Sequence, residues 1–121
     1  MRIKLWESYG TKVVIIPGKD ASNRENCQFI LEAAAKLAPI DGIFNLAAVL
    51  KDATWENQTP ENFEESFRTK AWATKNLDVL SRKICPLLRH FVVFSSVACG
   101  RGNAGQTNYA MSNSVRIYEL N

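Results

Sequence analysis

The stretch HFVVFSSVACGRGNAGQTNYAMSN, residues 90–113, decides how this chain folds. It opens as a short run of β-branched and aromatic residues and breaks at Ser95-Ser96. It then crosses a loop carrying Gly100, Gly102 and Gly105 and regains helix-forming character at Gln106. The pattern predicts a strand, a loop and a helix. Its polar residues fall just beyond the carboxyl end of the strand, where open α/β sheets place their chemistry.

Upstream, KVVIIP at residues 12–17 is a continuous β-branched run without alternation, which predicts a strand covered on both faces in a parallel sheet. Residues 21–37 predict a helix with Phe29, Ile30, Ala33, Ala34 and Leu37 on one face, stopped by Pro39. GIFNL at residues 42–46 predicts a second strand. Thr59-Pro60 reads as a cap and first helical position, with Glu61, Glu64 and Glu65 near the positive end of a helix that runs to about Ile84. Residues 90–95 are the third strand. The first nine residues read as a helix closed by Gly10. Strands alternating with helices through short links predict βαβ units and an α/β fold with a parallel sheet. No linker, repeat or low-complexity tract interrupts the 121 residues, so a single domain is expected.

Composition narrows the function classes. A hydrophobic share of 46% is that of a folded soluble protein. No apolar run reaches membrane-spanning length and the first residues lack a signal peptide's apolar core, so a cytosolic location is expected. A net charge of +3 with scattered Lys and Arg offers little footing for nucleic acid or membrane. Cys27, Cys85 and Cys99 have neither zinc-site nor Cys-x-x-Cys spacing and read as free thiols, with no metal site implied.

On the long helix, at about 100° per residue, Phe63, Phe67, Thr74 and Leu77 share a face, and Lys70 lies in the middle of that stripe. Either Lys70 snorkels to water along its alkyl stem or its ammonium is aimed at a polar site by the sheet; the helix alone leaves both open. The run from Gly100 to Gly105 matches a Gly-x-Gly-x-x-Gly pattern, but Gly100 stands six positions beyond Phe94, too far from the strand for a dinucleotide-binding turn. It reads instead as a flexible active-site loop. Tyr109 and Asn113 are four positions apart on one helical face, and Ser96 ends the strand that feeds that helix. A tyrosine can protonate a carbonyl oxygen only if its ordinary pKa near 10 is lowered, and a neighbouring ammonium such as that of Lys70 is the simplest means. The competing reading makes Tyr109 a boundary residue, Ser96 a strand-end cap and Asn113 a solvent-facing position.

These residues resemble the short-chain dehydrogenase/reductase family. Ser96 and Tyr109 lie 13 positions apart, the spacing of that family's serine and tyrosine, and Asn45-Leu46-Ala47 resembles its Asn-Ala-Gly motif with a leucine inserted. Ordinary members carry lysine four residues after the tyrosine and asparagine on the preceding long helix. Here Asn113 and Lys70 hold those places in exchange, which resembles the ketoreductase domains of type I fatty acid synthases and polyketide synthases. The likeness is greatest to animal fatty acid synthase, in GIFNLAAVLKDATWENQTPENF and FVVFSSVACGRGNAGQTNYAMSNS.

The resemblance implies a partial Rossmann-like, doubly wound parallel sheet and NADPH-dependent reduction of a β-ketoacyl group carried on acyl carrier protein, within a multienzyme synthase. By position it implies that Tyr109 protonates the carbonyl oxygen and Ser96 hydrogen-bonds it. Lys70 would lower the tyrosine pKa and hold the nicotinamide ribose, and Asn113 would support a proton relay. Asp20 and Ala21 would lie by the adenine, and Asn45, Leu46 and Ala47 along the cofactor, with Lys70 and Tyr109 also touching it. It further implies that the family's first strand and glycine-rich phosphate loop lie upstream of residue 1 and its last strands beyond residue 121, so that this chain alone is expected to be inactive. Residues 12–17 then either pair with the second strand or keep unpaired edges. A stand-alone oxidoreductase acting on another carbonyl, a non-catalytic structural fragment, and a truncated product acting through another chain are the alternatives.

Overall fold

The computed structural model describes residues 2–119. Helix α1, Arg2–Ser8, ends where Gly10 takes a φ of +80°, a conformation open to glycine at no steric cost. Helix α2, Arg24–Ala35, starts three residues later than its periodicity predicts. The delay has a local cause: the Asp20 carboxylate accepts from the Ser22 amide at 2.9 Å, and the Asn23 side chain caps the helix by accepting from the Asn26 amide at 3.0 Å.

Strands β1, Gly42–Asn45, and β2, His90–Val93, pair in parallel with Gly42 opposite His90 and Asn45 opposite Val93. Both are shorter than their apolar runs. The described residues form this one sheet of two strands, so the expected third strand at residues 12–17 is corrected: the segment joins no ladder. Its β-branched side chains favour an extended backbone, yet a strand needs a partner to satisfy its amides, and β1 pairs with β2 alone.

Between the strands the chain rises through a single 3₁₀ turn, Trp55–Asn57, into helix α3, Pro60–Phe67, capped by the Thr59 hydroxyl accepting from the Asn62 amide. One unbroken helix to Ile84 is expected from the sequence. Instead Arg68–Trp72 forms a π-turn, after which helix α4 runs Ala73–Ile84 and Cys85 with Pro86 ends it. Beyond β2 come a short helix α5, Ala98–Arg101, and helix α6, Thr107–Glu119. The glycine loop thus includes a helical turn, with Gly100 inside it; Gly102 and Gly105 take φ of +73° and +76°.

Two kinds of interior result. Cys27 and Leu31 of α2 pack against Leu77, Leu80 and Cys85, with Ile43 of β1 and Phe91 of β2 beneath them. This apolar half is the ordinary hydrophobic core. The face of α2 picked out by periodicity, with Phe29, Ala33, Ala34 and Leu37, instead lines an open groove along residues 12–17, and Phe29 and Leu37 are about half exposed. The second half is polar: Ser66, Lys70, Thr74, Asn108, Ser112 and Asn113 are all buried where α3, the π-turn and α6 meet. No helix among the described residues is long and apolar enough to cross a membrane.

Candidate active site

Buried polar groups are costly unless they are partnered, so the polar half of the interior marks a place built for something other than stability. Its centre is Lys70. The side chain is only 2% exposed, and its ammonium donates to the carbonyl oxygen of Phe94, just past the end of β2, at 3.0 Å. The Nζ also stands 5.4 Å from the centroid of the Tyr109 ring. Of the two readings left open by the helical stripe, the structure selects the inward one.

The π-turn explains how a lysine on this helix reaches the strand end. A π-turn admits one extra residue and changes the facing of the residues it contains. Here Ala73 donates its amide back to Arg68 and Lys70 carbonyls, and the Thr74 hydroxyl donates to the Lys70 carbonyl at 2.6 Å. The same hydroxyl accepts from the Asn45 side-chain amide at 3.0 Å, while Asn45 Oδ1 accepts from the Ala47 amide at 3.0 Å. Asn45 is therefore a buried tie between the end of β1 and the turn that carries Lys70. Leu46 and Ala47 beyond it are exposed.

Tyr109 stands at the start of α6, and its placement rests on its neighbour. Asn108 is fully buried and uses every polar atom of its amide. It donates to the Lys51 carbonyl at 3.1 Å and the Asn62 carbonyl at 3.4 Å, and accepts from the Tyr109 amide at 2.8 Å. Asn113, one turn on, donates to the Tyr109 carbonyl at 2.8 Å and is fully buried, so the solvent-facing reading of this residue does not hold. Its Oδ1 is buried without a protein partner, an acceptor open to a bound water. Ser96 follows Phe94 by two residues and is half-buried; its Oγ accepts from the Ala98 amide at 3.2 Å, which leaves the hydroxyl proton available to donate.

The loop over this edge is clasped to the loop after α5. Ala53 donates its amide to the Gly105 carbonyl at 3.0 Å, Gln58 donates to the carbonyls of Lys51, Ala53 and Gly105, and Gln106 donates to Asp52. A Cβ on Gly105 would meet Ala53 backbone at 3.5 Å as well as a positive φ.

Asp20 and Ala21 reach this region through the long helix. Arg68 of the π-turn stands 3.7 Å from Asp20, and Asn76 of α4 donates to the Ala21 and Ser22 carbonyls at 3.1 and 2.7 Å. The Ser22 amide, ahead of the Arg68 guanidinium, holds the Asp20 carboxyl below its ordinary range, so it stays anionic. Of the residues singled out in the sequence, the structure brings Lys70 against the Tyr109 ring and the Phe94 carbonyl, Asn113 against the Tyr109 carbonyl and Asn45 against Thr74, and sets Ser96 two residues beyond Phe94. The sequence reading takes Thr74 only as part of a stripe and passes over Asn108, Asn76 and Gln58. A single polar residue between apolar neighbours carries no periodic signal, and only the three-dimensional contacts show the hydrogen bonds.

A buried lysine beside a tyrosine ring at the carboxyl edge of a parallel pair, with a serine hydroxyl three residues beyond β2, is a donor set suited to the hydroxyls of a ribose and the oxygen of a carbonyl. A nicotinamide cofactor fits this donor set. The KR domain model matches residues 1–116. The hybrid PKS-NRPS synthetase traA of Penicillium crustosum is 38% identical over 108 residues, 88% of this chain and 3% of its own length. The highly reducing polyketide synthase poxF of Penicillium oxalicum is 35% identical over 104 residues, 85% of this chain and 4% of that protein. Among solved structures, an N-terminal ketoreductase from the macrolactin assembly line superposes with a TM-score of 0.86 at 28% identity, over 94% of this chain and 23% of that one. The first ketoreductase of the tylosin PKS gives 0.78 at 30% identity, over 93% and 23%. The chain spans under a quarter of those ketoreductase structures and a few per cent of the synthases. By fold and sequence together, this chain belongs to the KR domain family, the ketoreductases of the short-chain dehydrogenase/reductase fold.

Proposed function

We propose that this chain carries the catalytic edge of an NADPH-dependent reductase that converts a β-ketoacyl thioester, held on acyl carrier protein, to its β-hydroxyacyl form. The observation that carries this reading is the buried Lys70 ammonium, fixed on the Phe94 carbonyl and lying over the Tyr109 ring. A cation so deep in a fold is a functional device more often than a stabilising one.

The reduction adds a hydride to the carbonyl carbon and a proton to its oxygen. NADPH, when bound, supplies the hydride. Tyr109 supplies the proton from its hydroxyl, and Ser96 donates a hydrogen bond to the same oxygen as negative charge builds there. Lys70 stabilises the phenolate left on Tyr109 and offers its remaining hydrogens to the ribose hydroxyls. Asn113 anchors the Tyr109 carbonyl and, through the open Oδ1, holds a water; Lys70 passes a proton to the Tyr109 phenolate and takes one back from that water, which is resupplied from solvent. Asp20 and Ala21 line the adenine side, where an anionic carboxylate accepts from the exocyclic amine. Asn45, Leu46 and Ala47 border the cofactor along the end of β1.

The fatty acid synthase assignment rests on the residue match in the two motif stretches. Relatives that include polyketide synthases and a polyunsaturated fatty acid synthase support a partner set of further synthase domains around this one. A cytosolic setting agrees with such an assembly.

The test uses the complete protein, with NADPH and a β-ketoacyl thioester. Tyr109→Phe is expected to lower kcat by a factor of about 100 or more, on the order of the general-acid contribution, while NADPH affinity stays within about threefold. Turnover persisting in that variant would remove Tyr109 as the acid. An acyl carrier protein thioester reduced no better than a small ketone would remove the carrier-bound substrate.

A further inference from the structure

We propose that Thr74 is a positioning residue for Lys70, acting as the hydroxyl link that references the π-turn to the end of β1. The inference rests on the reductase reading of Lys70. A threonine inside a helix often back-bonds to the carbonyl four residues earlier, and by itself that contact means little. Thr74 differs in three respects. The carbonyl it holds belongs to the π-turn, where the regular amide ladder is broken and Ala73 divides its amide between Arg68 and Lys70. Its oxygen simultaneously accepts from Asn45, a strand residue 29 positions away in sequence. It is also only 1% exposed, so no water can substitute for either bond from outside.

The consequence is that Lys70 is held at both ends by different strands. Its backbone carbonyl is tied through Thr74 and Asn45 to β1, and its ammonium to the Phe94 carbonyl that follows β2. Remove the hydroxyl and the backbone end is released while the head keeps its bond. The turn can then revert toward regular helical winding, which swings the lysine stem away from Tyr109. Thr74 touches neither substrate nor cofactor and acts on the site through Lys70, with Asn45 as its anchor on β1.

The test is a double-mutant cycle in the complete protein, with NADPH affinity read by cofactor fluorescence and kcat by NADPH oxidation. Thermal melts confirm that each variant is folded. Thr74→Val keeps the shape and deletes the hydroxyl; it is expected to weaken NADPH binding and lower kcat by about tenfold each, since sub-ångström to ångström misplacement of a catalytic group costs factors of this order. Thr74→Ser, which keeps the hydroxyl, is expected to restore both to within about threefold. In a Lys70→Met background, Thr74→Val is expected to change NADPH affinity less than about twofold, because its effect runs through the lysine already removed. An equal effect of Thr74→Val with and without Lys70 would show a merely structural role and overturn the proposal, as would a Thr74→Val protein with unaltered affinity and kcat. If Lys70→Met itself leaves affinity and turnover unchanged, the reductase reading of Lys70 fails and the positioning role falls with it. A damaged Lys70→Met beside an unaffected Thr74→Val sinks the positioning role alone.

Discussion

At the scale of single residues, the proposed reading separates groups that act from groups that hold. Lys70 lies between the Phe94 carbonyl and the Tyr109 ring, with Ser96 two residues beyond Phe94, whereas Asn108 spends its whole amide on protein partners. Substituting Asn108→Ala takes one donor from each of the Lys51 and Asn62 carbonyls and leaves the Tyr109 amide without its side-chain acceptor. The expected loss is about 2 to 3 kcal/mol of stability, visible as a lower denaturant midpoint. Asn108→Asp keeps the acceptor for the Tyr109 amide but loses both donors and adds a buried charge, so it is expected to be at least as destabilising. An Asn108→Ala protein with an unshifted midpoint would show that the three bonds are replaced by water at no cost.

At the scale of elements, the π-turn is the feature that periodicity hides. The stripe of Phe63, Phe67, Thr74 and Leu77 assumes a uniform helical pitch, and Lys70 falls within it because one inserted residue shifts a face too little to show in so short a pattern. The strand starts at Gly42 and His90, the Thr59 cap, the Gly10 stop and the breaks at Pro39 and Pro86 are all legible in the sequence, because caps, glycine and proline act locally. The absence of pairing at residues 12–17 is not, since membership of a sheet is a long-range property and β-branched content speaks only to backbone shape. The π-turn supplies its own prediction. Deleting Thr69 removes the extra residue, so regular winding from Pro60 to Ile84 is expected with helical circular dichroism retained. Turnover in the complete protein should fall by roughly two orders of magnitude or more as Lys70 leaves the strand end, given what ångström-scale misplacement costs a catalytic group. Retained turnover in that deletion would show that the turn is dispensable.

At the scale of the whole molecule, the apolar half of the interior carries most of the stability and also makes it depend on pH. Burial against Leu31, Leu77 and Leu80 pushes the Cys27 thiol up from 9.0 to about 11, and burial raises Cys85 in the same direction. The folded state therefore favours the protonated thiol. Its contribution is fully present below pH 9 and is lost as pH rises toward 11, because the unfolded chain releases the proton first. Thermal midpoints should be flat in this respect from about pH 7 to about 8.5 and then fall, by up to about 1.4 kcal/mol per pH unit for Cys27 alone. Cys27→Ala should be less stable at neutral pH but should show a shallower alkaline decline; an equal decline would assign the effect to other groups.

The parallel pairing of β1 with β2 has a mechanical reading. Neighbouring strands are spaced by their hydrogen bonds at nearly constant distance, about 4.8 Å. Lys70 spans from a tie on one strand end to an oxygen beyond the other, with the Phe94 amide itself bonded to the Asn45 carbonyl at 3.2 Å. The lysine is thus a gauge laid across two rails. Any slide of one strand along the other, from a partner domain pressing on the sheet or a substitution at its far edge, changes the gap the ammonium bridges. Chemistry at Tyr109 would register that shear before the backbone showed it.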